Sequence, residues 1–411
     1  MGDLCSGGDS SIQTGPFGSQ LHASDYVEEG VPCVMPQDIR GGRVSTDSIA
    51  RISEEDHARL KRFHLRKGDI IYPRRGDISK RALIEEREAG WLCGTGCLRI
   101  RPNTSVTDPK FLAYYLSHPD VCAWIEGNAV GATMPHLNTG LAGSVPVVCP
   151  PIEEQRAIAA TLGALDDKIE VNRRMAATLE EMARALYRSW FVDFDPVHAK
   201  AQGGAPAHMD PATAALFPAR FGDDGLPEGW RREQIGELGS IKGGKQLKKD
   251  RFADDGAFPV FGGAGKMGRT NEFNADHFVI TVGRVGAYCG KFTYHRGKAW
   301  VNNNASLIRP FAATPPEFLF LALKALDLST IKKGAAQPFV SNGDLQRLTT
   351  VVPDVAVLSA FSTRADLLLH RIDLLEAENS TLAALRDTLL PKLMSGELRV
   401  REAEARIAEA V

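Results

Sequence analysis

The 411-residue chain sets 49 Lys and Arg against 51 Asp and Glu, a net charge of −2, with 43% hydrophobic and 24% charged residues. These values exclude a disordered chain and a globally basic nucleic-acid binder, so any DNA contact must come from local patches, and the length suits about two to three domains. No apolar run approaches the roughly 18 residues that span a bilayer and no signal peptide opens at Met1, which predicts a cytoplasmic protein without membrane contact.

Residues 1–150 mix Gly, Pro and β-branched residues with short strand-like runs at 69–72 and 97–100, predicting a compact β-rich domain. Its cysteines are scattered. Cys93 and Cys97 have no His or further Cys at a metal-binding spacing, so the thiols read as reduced and structural. Over 151–190, Ile158, Leu162, Leu165, Ile169, Asn172, Ala176, Leu179, Ala183 and Leu186 recur at alternating steps of four and three, the seam of a coiled coil. Residues 191–226 are rich in Pro, Ala and Gly and read as a linker. A second β-rich domain follows over 227–352, with strand-like runs at 278–282 and 305–310. A second helix over 353–398 carries Phe361, Ala365, Leu368, Ile372, Leu375, Asn379, Leu382, Arg386 and Leu389 in the same register, and 399–411 form a tail.

The two halves are copies. Gly131-Ala132-x-x-Pro135-x-Leu137-x-x-Gly140 returns 203 residues later as Gly334-Ala335-x-x-Pro338-x-Val340-x-x-Gly343, and Pro150 returns as Pro353. A unit this long is a duplicated domain, because solenoid repeats run about 20 to 50 residues. Both motifs read as structural joints between domain and helix, with His136 and Gln337 as alternatives that reach DNA. Each seam holds one asparagine, and a buried Asn fixes register at a cost in stability. Asn172 and Asn379 meet in one layer if the helices run antiparallel, with Leu162 opposite Leu389, Ile169 opposite Leu382 and Leu179 opposite Ile372. The alternative is two separate amphipathic helices, each docked on its own domain. At about 1.5 Å per residue such a helix is roughly 58 Å long and would hold two reading heads apart, as dimeric readers hold half-sites about 34 to 36 Å apart, or multiples of that.

Four motifs carry a family resemblance: Gly15-Pro16-Phe17-Gly18-Ser19-Gln20-Leu21, Pro150-Pro151-x-x-Glu154-Gln155, Ser189-Trp190-Phe191-Val192-Asp193-Phe194-Asp195-Pro196 and Leu389-Leu390-Pro391-Lys392-Leu393-x-Ser395-Gly396-Glu397-Leu398. The chain resembles, over essentially its whole length, the DNA-specificity subunit of type I restriction-modification enzymes. The resemblance implies an α+β fold in which two β-rich target-recognition domains are joined by two long helices forming an antiparallel coiled coil. It also implies that each domain reads one half of a bipartite double-stranded DNA site. The implied partners are two methyltransferase subunits, with restriction and translocase subunits in the full complex. No cofactor is expected on this chain; S-adenosylmethionine belongs to the partner methyltransferase. One departure is that the second unit opens Leu226-Pro227-Glu228-Gly229-Trp230 whereas the first begins abruptly at Met1-Gly2-Asp3.

Local charge fits DNA. Residues 59–81 hold Arg59, Lys61, Arg62, Arg66, Lys67, Arg74, Arg75, Lys80 and Arg81 against Asp69 and Asp77, and 242–251 hold Lys242, Lys245, Lys248, Lys249 and Arg251 against Asp250. Such clusters suit phosphates, although a solvated charged face is the plainer reading. Base edges need paired donors and acceptors, Arg for guanine and Asn or Gln for adenine. The loop candidates are Gln37, Arg40, Arg74 and Arg75 in the first domain and Lys245, Gln246, Arg284, Asn302, Asn303 and Asn304 in the second. Turn formation explains the asparagine triplet equally well.

Catalysis is not expected. Gly262-Gly263-Ala264-Gly265-Lys266-Met267 lacks the first glycine of a phosphate loop and has Met267 where a magnesium-binding Ser or Thr belongs. Asp193-Phe194-Asp195-Pro196 is not the adenine-methyltransferase signature. Apolar residues outside the seam, Met175, Met182, Trp190, Leu367, Leu374 and Leu385, widen the stripe and mark a surface for methyltransferase helices or for the chain's own domains. The competing reading of the whole is a coiled-coil scaffold whose globular ends bind proteins rather than DNA.

Overall fold

A computed structural model of the chain describes residues 1–129, 131, 135–334 and 337–410; Ala132 and Ala335 of the repeated motif lie outside them. The chain forms two compact units, residues 1–171 with 378–411, and residues 172–377.

The first unit is built on a four-stranded antiparallel sheet in the order Ser11–Thr14, Cys97–Arg101, Ile70–Pro73, Ala82–Leu83. A second sheet orders Tyr26–Val27, Ala50–Ile52, Val31–Val34 and Leu92–Cys93, the last pair parallel. The strand runs read from sequence sit in the centre of the first sheet, where Ile70, Ile71, Tyr72, Leu98 and Ile100 are all buried. Their β-branched and aromatic side chains fill both faces, which is why the runs read as continuous rather than alternating.

The second unit repeats this plan. Its main sheet runs Gly239–Gly243, Ala305–Pro310, Phe278–Gly283, Phe292–Arg296, again antiparallel throughout. Its smaller sheet again contains a parallel pair, Phe258–Gly262 with Trp300–Val301. The repeated motif has a structural job in each copy. Leu137 and Val340 are buried plugs, and each precedes a short helix whose cap, Asn138 or Ser341, accepts a backbone N–H at 2.8 or 3.0 Å.

The long helices are Ile152–Phe191 and Val355–Ser395. Within the first unit, the early half of one packs on the late half of the other, and Ile158, Leu162, Leu165 and Ile169 share a buried cluster with Leu382, Leu389 and Leu393. The direction is antiparallel: Arg386 meets Asp166 (2.6 Å) and Lys168 meets Glu378 (3.1 Å), so numbers rise on one helix as they fall on the other, and Arg399, just past the second helix, meets Glu154 (3.2 Å) near the start of the first. In the second unit, Ala183, Tyr187 and Trp190 lie in one core with Phe361, Ala365, Leu369 and Ile372. Asn172 is buried and Asn379 half-buried on the seam faces of their helices.

Two motifs quoted for the resemblance lock helices to domains. The buried Gln155 amide accepts from Thr107 Oγ1 (3.0 Å) and Asp108 N (2.9 Å) and donates to Pro150 O (2.9 Å), so its polar groups are satisfied inside an apolar joint. At the far end, Phe194 adopts a left-handed conformation (φ 53°) and turns the chain, while Trp190, Phe191 and Phe194 stack among Phe217, Trp230 and Phe361. Residues 191–226 therefore hold two short helices, Asp195–Ala201 and Pro211–Ala215, and place Phe217 and Leu226 in the second unit's core. Beyond the second long helix, Val400–Ala410 is helical, with Ala403 buried against the first unit's helix cluster.

Candidate nucleic-acid interface

In each unit three backbone segments cross at one end of the main sheet. In the first, Gly15 N donates to Cys97 O (2.9 Å), Arg74 N to Gly96 O (2.7 Å) and Leu137 N to Arg74 O (2.9 Å). In the second, Gly244 N donates to Ala305 O (2.9 Å), Arg284 N to Asn304 O (3.2 Å) and Val340 N to Arg284 O (3.0 Å). A Cβ on Gly15 would lie 2.1 Å from Gly94 O, and one on Gly244 2.1 Å from Asn302 O, so both crossings require glycine for close approach. The frame is the same in both units. The side chains it displays are not.

Around the first crossing, Arg74 is half-buried, with Nη2 3.3 Å from His136 Nε2 and its guanidinium 5.6 Å from the ring of Phe17. Phe17 is 54% exposed. Partial burial first, and then the charges of Arg74 and Arg75, hold the His136 imidazole below its usual pKa, which favours the neutral ring. Arg75 is exposed and its backbone bridges to His136. Gln37 is exposed on the turn Pro36–Asp38, and its carbonyl accepts from Arg40 Nε (3.1 Å), which ties that guanidinium to its own turn. Lys80 is exposed and paired with Asp77 at 3.3 Å. Arg81 is half-buried, and its guanidinium donates to Ala113 O (3.1 Å) and Ser79 O (3.2 Å), which ties it to its own domain.

The run 59–81 is also less basic than its own residues indicate. Arg59 meets Asp56 (2.5 Å), Arg66 meets Asp9 (2.8 Å) and Lys67 meets Glu86 (3.2 Å), all carboxylates brought in from outside the run.

Around the second crossing, Lys242, Lys245, Gln246 and Lys248 are exposed on and beyond the strand Gly239–Gly243, and Asn303 and Asn304 are exposed beside them. Asn302 is a correction: it is buried, and its Oδ1 accepts from Leu247 N (3.2 Å) and Asn303 N (2.8 Å), so its amide shapes the loop. Arg284 is half-buried at the strand end and Phe339, exposed, bridges to Val285. Phe17, Tyr288 and Phe339 are exposed aromatic residues that sequence reasoning misses. Exposed rings beside arginines are the usual furniture of nucleic-acid surfaces, and a Phe inside a Gly-Pro turn was the available signal.

Gly262 to Gly265 is a tight hairpin turn, with Gly262 paired to Gly265 across it, rather than a phosphate cradle. Burial pushes the Cys93 thiol up to about 12 and raises Cys97 well above its usual value, as suits inert core thiols. Among the described residues no three His, Cys, Asp or Glu are grouped to hold a metal, and no helix is long and apolar enough to cross a membrane.

On the second unit's helices, Met175, Met182 and Leu374 are 42%, 52% and 47% exposed, and Leu367 more so, while Leu385 packs inside the first unit. Trp190 is a correction: at 3% exposure it is sealed by Phe217 and Phe361 and offers nothing to a partner.

The model of the type I restriction modification DNA specificity domain matches residues 25–181 and again 227–376. The chain belongs to that family. It is 25% identical to the type I restriction enzyme HindI specificity subunit of Haemophilus influenzae, over 81% of this chain and 87% of the relative. It is 23% identical to the MjaIX specificity subunit of Methanocaldococcus jannaschii, over 92% and 89%. The fold is similar to that of a type I restriction-modification S subunit from M. genitalium, with a TM-score of 0.52 at 20% identity, covering 94% of each chain. Each matched stretch takes in most of one repeated sheet unit and part of the long helix that follows it, so the duplication read from sequence is the family's domain used twice.

Proposed function

We propose that this chain is the non-catalytic specificity subunit of a type I restriction-modification complex, each unit reading one half of a bipartite duplex site. The observation that carries this is the repeated crossing: one backbone frame, built twice, presenting Phe17, Arg74 and His136 in one copy and Gln246, Arg284 and Phe339 in the other. Two copies of one frame with different side chains are what recognition of two different sequences requires. The antiparallel helices fix the interval between the readings, and their exposed Met175, Met182 and Leu374 accept helices of two methyltransferase subunits. S-adenosylmethionine is bound by those partners, and restriction subunits join the same assembly.

Phosphate contacts from Lys242, Lys245, Lys248 and Arg75 make the binding salt-dependent, since each neutralised phosphate releases counterions. Titrating the full chain with duplex DNA between about 50 and 200 mM salt should show affinity falling steeply, by orders of magnitude if roughly six or more phosphates are contacted. A scaffold that binds only proteins would show no DNA binding at the low end of that range.

A further inference from the structure

We propose that Arg74 and Arg284 are one device used twice: each is the base-edge reader of its unit, and each specifies one guanine-bearing base pair in its own half of the target. The inference rests on the DNA reading proposed above and assigns, within it, which side chains carry sequence information.

The two arginines hold the same place in the fold. Each is the first residue beyond a buried central strand, Ile70–Pro73 or Phe278–Gly283. Each has both backbone polar groups committed to the crossing, N–H to the neighbouring loop and C=O to the repeated motif. Each is half-buried, and in each the Nε is buried without a hydrogen-bond partner in the protein. A donor left in that state is costly, and its recurrence at two equivalent positions separated by 210 residues argues for a retained purpose rather than chance packing.

Their chemistry separates them from the other cations. Phosphates require only positive charge and reach, which the exposed Lys245, Lys248 and Arg75 supply. Guanine O6 and N7 require a planar fork delivered in a fixed direction. A guanidinium whose stem is buried and whose backbone is pinned on both sides is such a fork. The collars around the forks differ. Arg74 has the Phe17 ring at 5.6 Å and His136 Nε2 at 3.3 Å, whereas Arg284 Nη1 has Gly243 beside it, where an added Cβ would come to 3.4 Å, an ordinary contact. One reading element with two collars gives each half-site a shared guanine contact inside a different sequence.

The test is selection from a randomised duplex library by the full chain and by the variants Arg74→Ala, Arg284→Ala, Arg74→Lys and Arg284→Lys, with thermal melts recorded for each. The expected result is that each Ala variant loses preference at one base pair, the two lying in different halves, and binds the wild-type target about 5- to 150-fold more weakly. The Lys variants keep charge and stem, fold like wild type, and lose part of that preference because an ammonium reaches guanine without the rigid planar fork that fixes the paired contact. Weakening that is uniform across sequences, or full specificity in the Lys variants, would mark both arginines as phosphate contacts and overturn the proposal. So would two variants that alter the same half. A wild-type chain that enriches no sequence removes the DNA reading itself, a failure distinguishable from the others because it needs no variant.

Discussion

Gly15 and Gly244 are where single atoms decide the reading surface. A methyl group at either would sit 2.1 Å from a carbonyl oxygen, so Gly15→Ala and Gly244→Ala should each cost about 1–3 kcal/mol through forced backbone movement. Calorimetry should show a lower melting temperature for both; an unchanged melt in either would mean the crossing yields freely. Asp344 accepts from Lys333 Nζ (2.7 Å) and Ser341 Oγ (2.7 Å), which lowers its pKa to about 2 from an ordinary 3.8. With the folded value below the unfolded one, its stabilisation is complete above about pH 4 and is lost as pH falls toward about 2. Urea unfolding between those values should therefore weaken with acid more steeply in wild type than in Asp344→Asn, and parallel slopes would remove Asp344 from the account. At this scale the sequence was only partly legible. Arg74 and Arg284 stood out as loop arginines in basic or Gly-rich surroundings, but nothing in the sequence distinguishes Asn302, whose amide folds inward, from Asn303 and Asn304, which face solvent. Which way a loop side chain turns depends on hydrogen bonds such as Asn302 to Leu247, and these form only once distant segments meet.

The long helices were legible because their signal is periodic and redundant. Four heptads of apolar spacing gave the seam, its paired asparagines suggested the direction, and the helices run Ile152–Phe191 and Val355–Ser395, the second two residues shorter at its start and three at its end than the 353–398 expected. Trp190 misled because an apolar residue off the seam looks alike whether a partner or the chain's own aromatic cluster covers it. Residues 191–226, read as a linker, hold two short helices, with Pro and Gly shaping the turns around them. Leu162 is fully buried in the first unit's helix cluster, so Leu162→Ala should cost about 2–5 kcal/mol, measured by chemical unfolding. A loss below about 1 kcal/mol would mean the helices are not packed as a seam. The exposed methionines make the complementary prediction. Met175→Asp with Met182→Asp should leave the melting temperature near wild type yet abolish copurification with the methyltransferase, and undiminished copurification would place the partner elsewhere.

For the whole chain, the decisive legible feature was duplication at an interval of 203 residues, since no composition or net charge of −2 points to DNA. The copies share sheet order, parallel pair, glycine crossing and capped helix, and differ in the side chains displayed around the crossing, the division expected where a frame is kept and its reading altered. The central claim is that recognition occurs in two patches separated by bases that no side chain reads. Mapping methylated adenines across the genome of cells expressing this chain with its methyltransferase tests it most directly. The account predicts one motif made of two short specified blocks divided by a fixed run of unspecified bases, with exchange of residues 227–352 for those of a relative changing one block alone. A single uninterrupted motif, or a gap whose length varies from site to site, would contradict it.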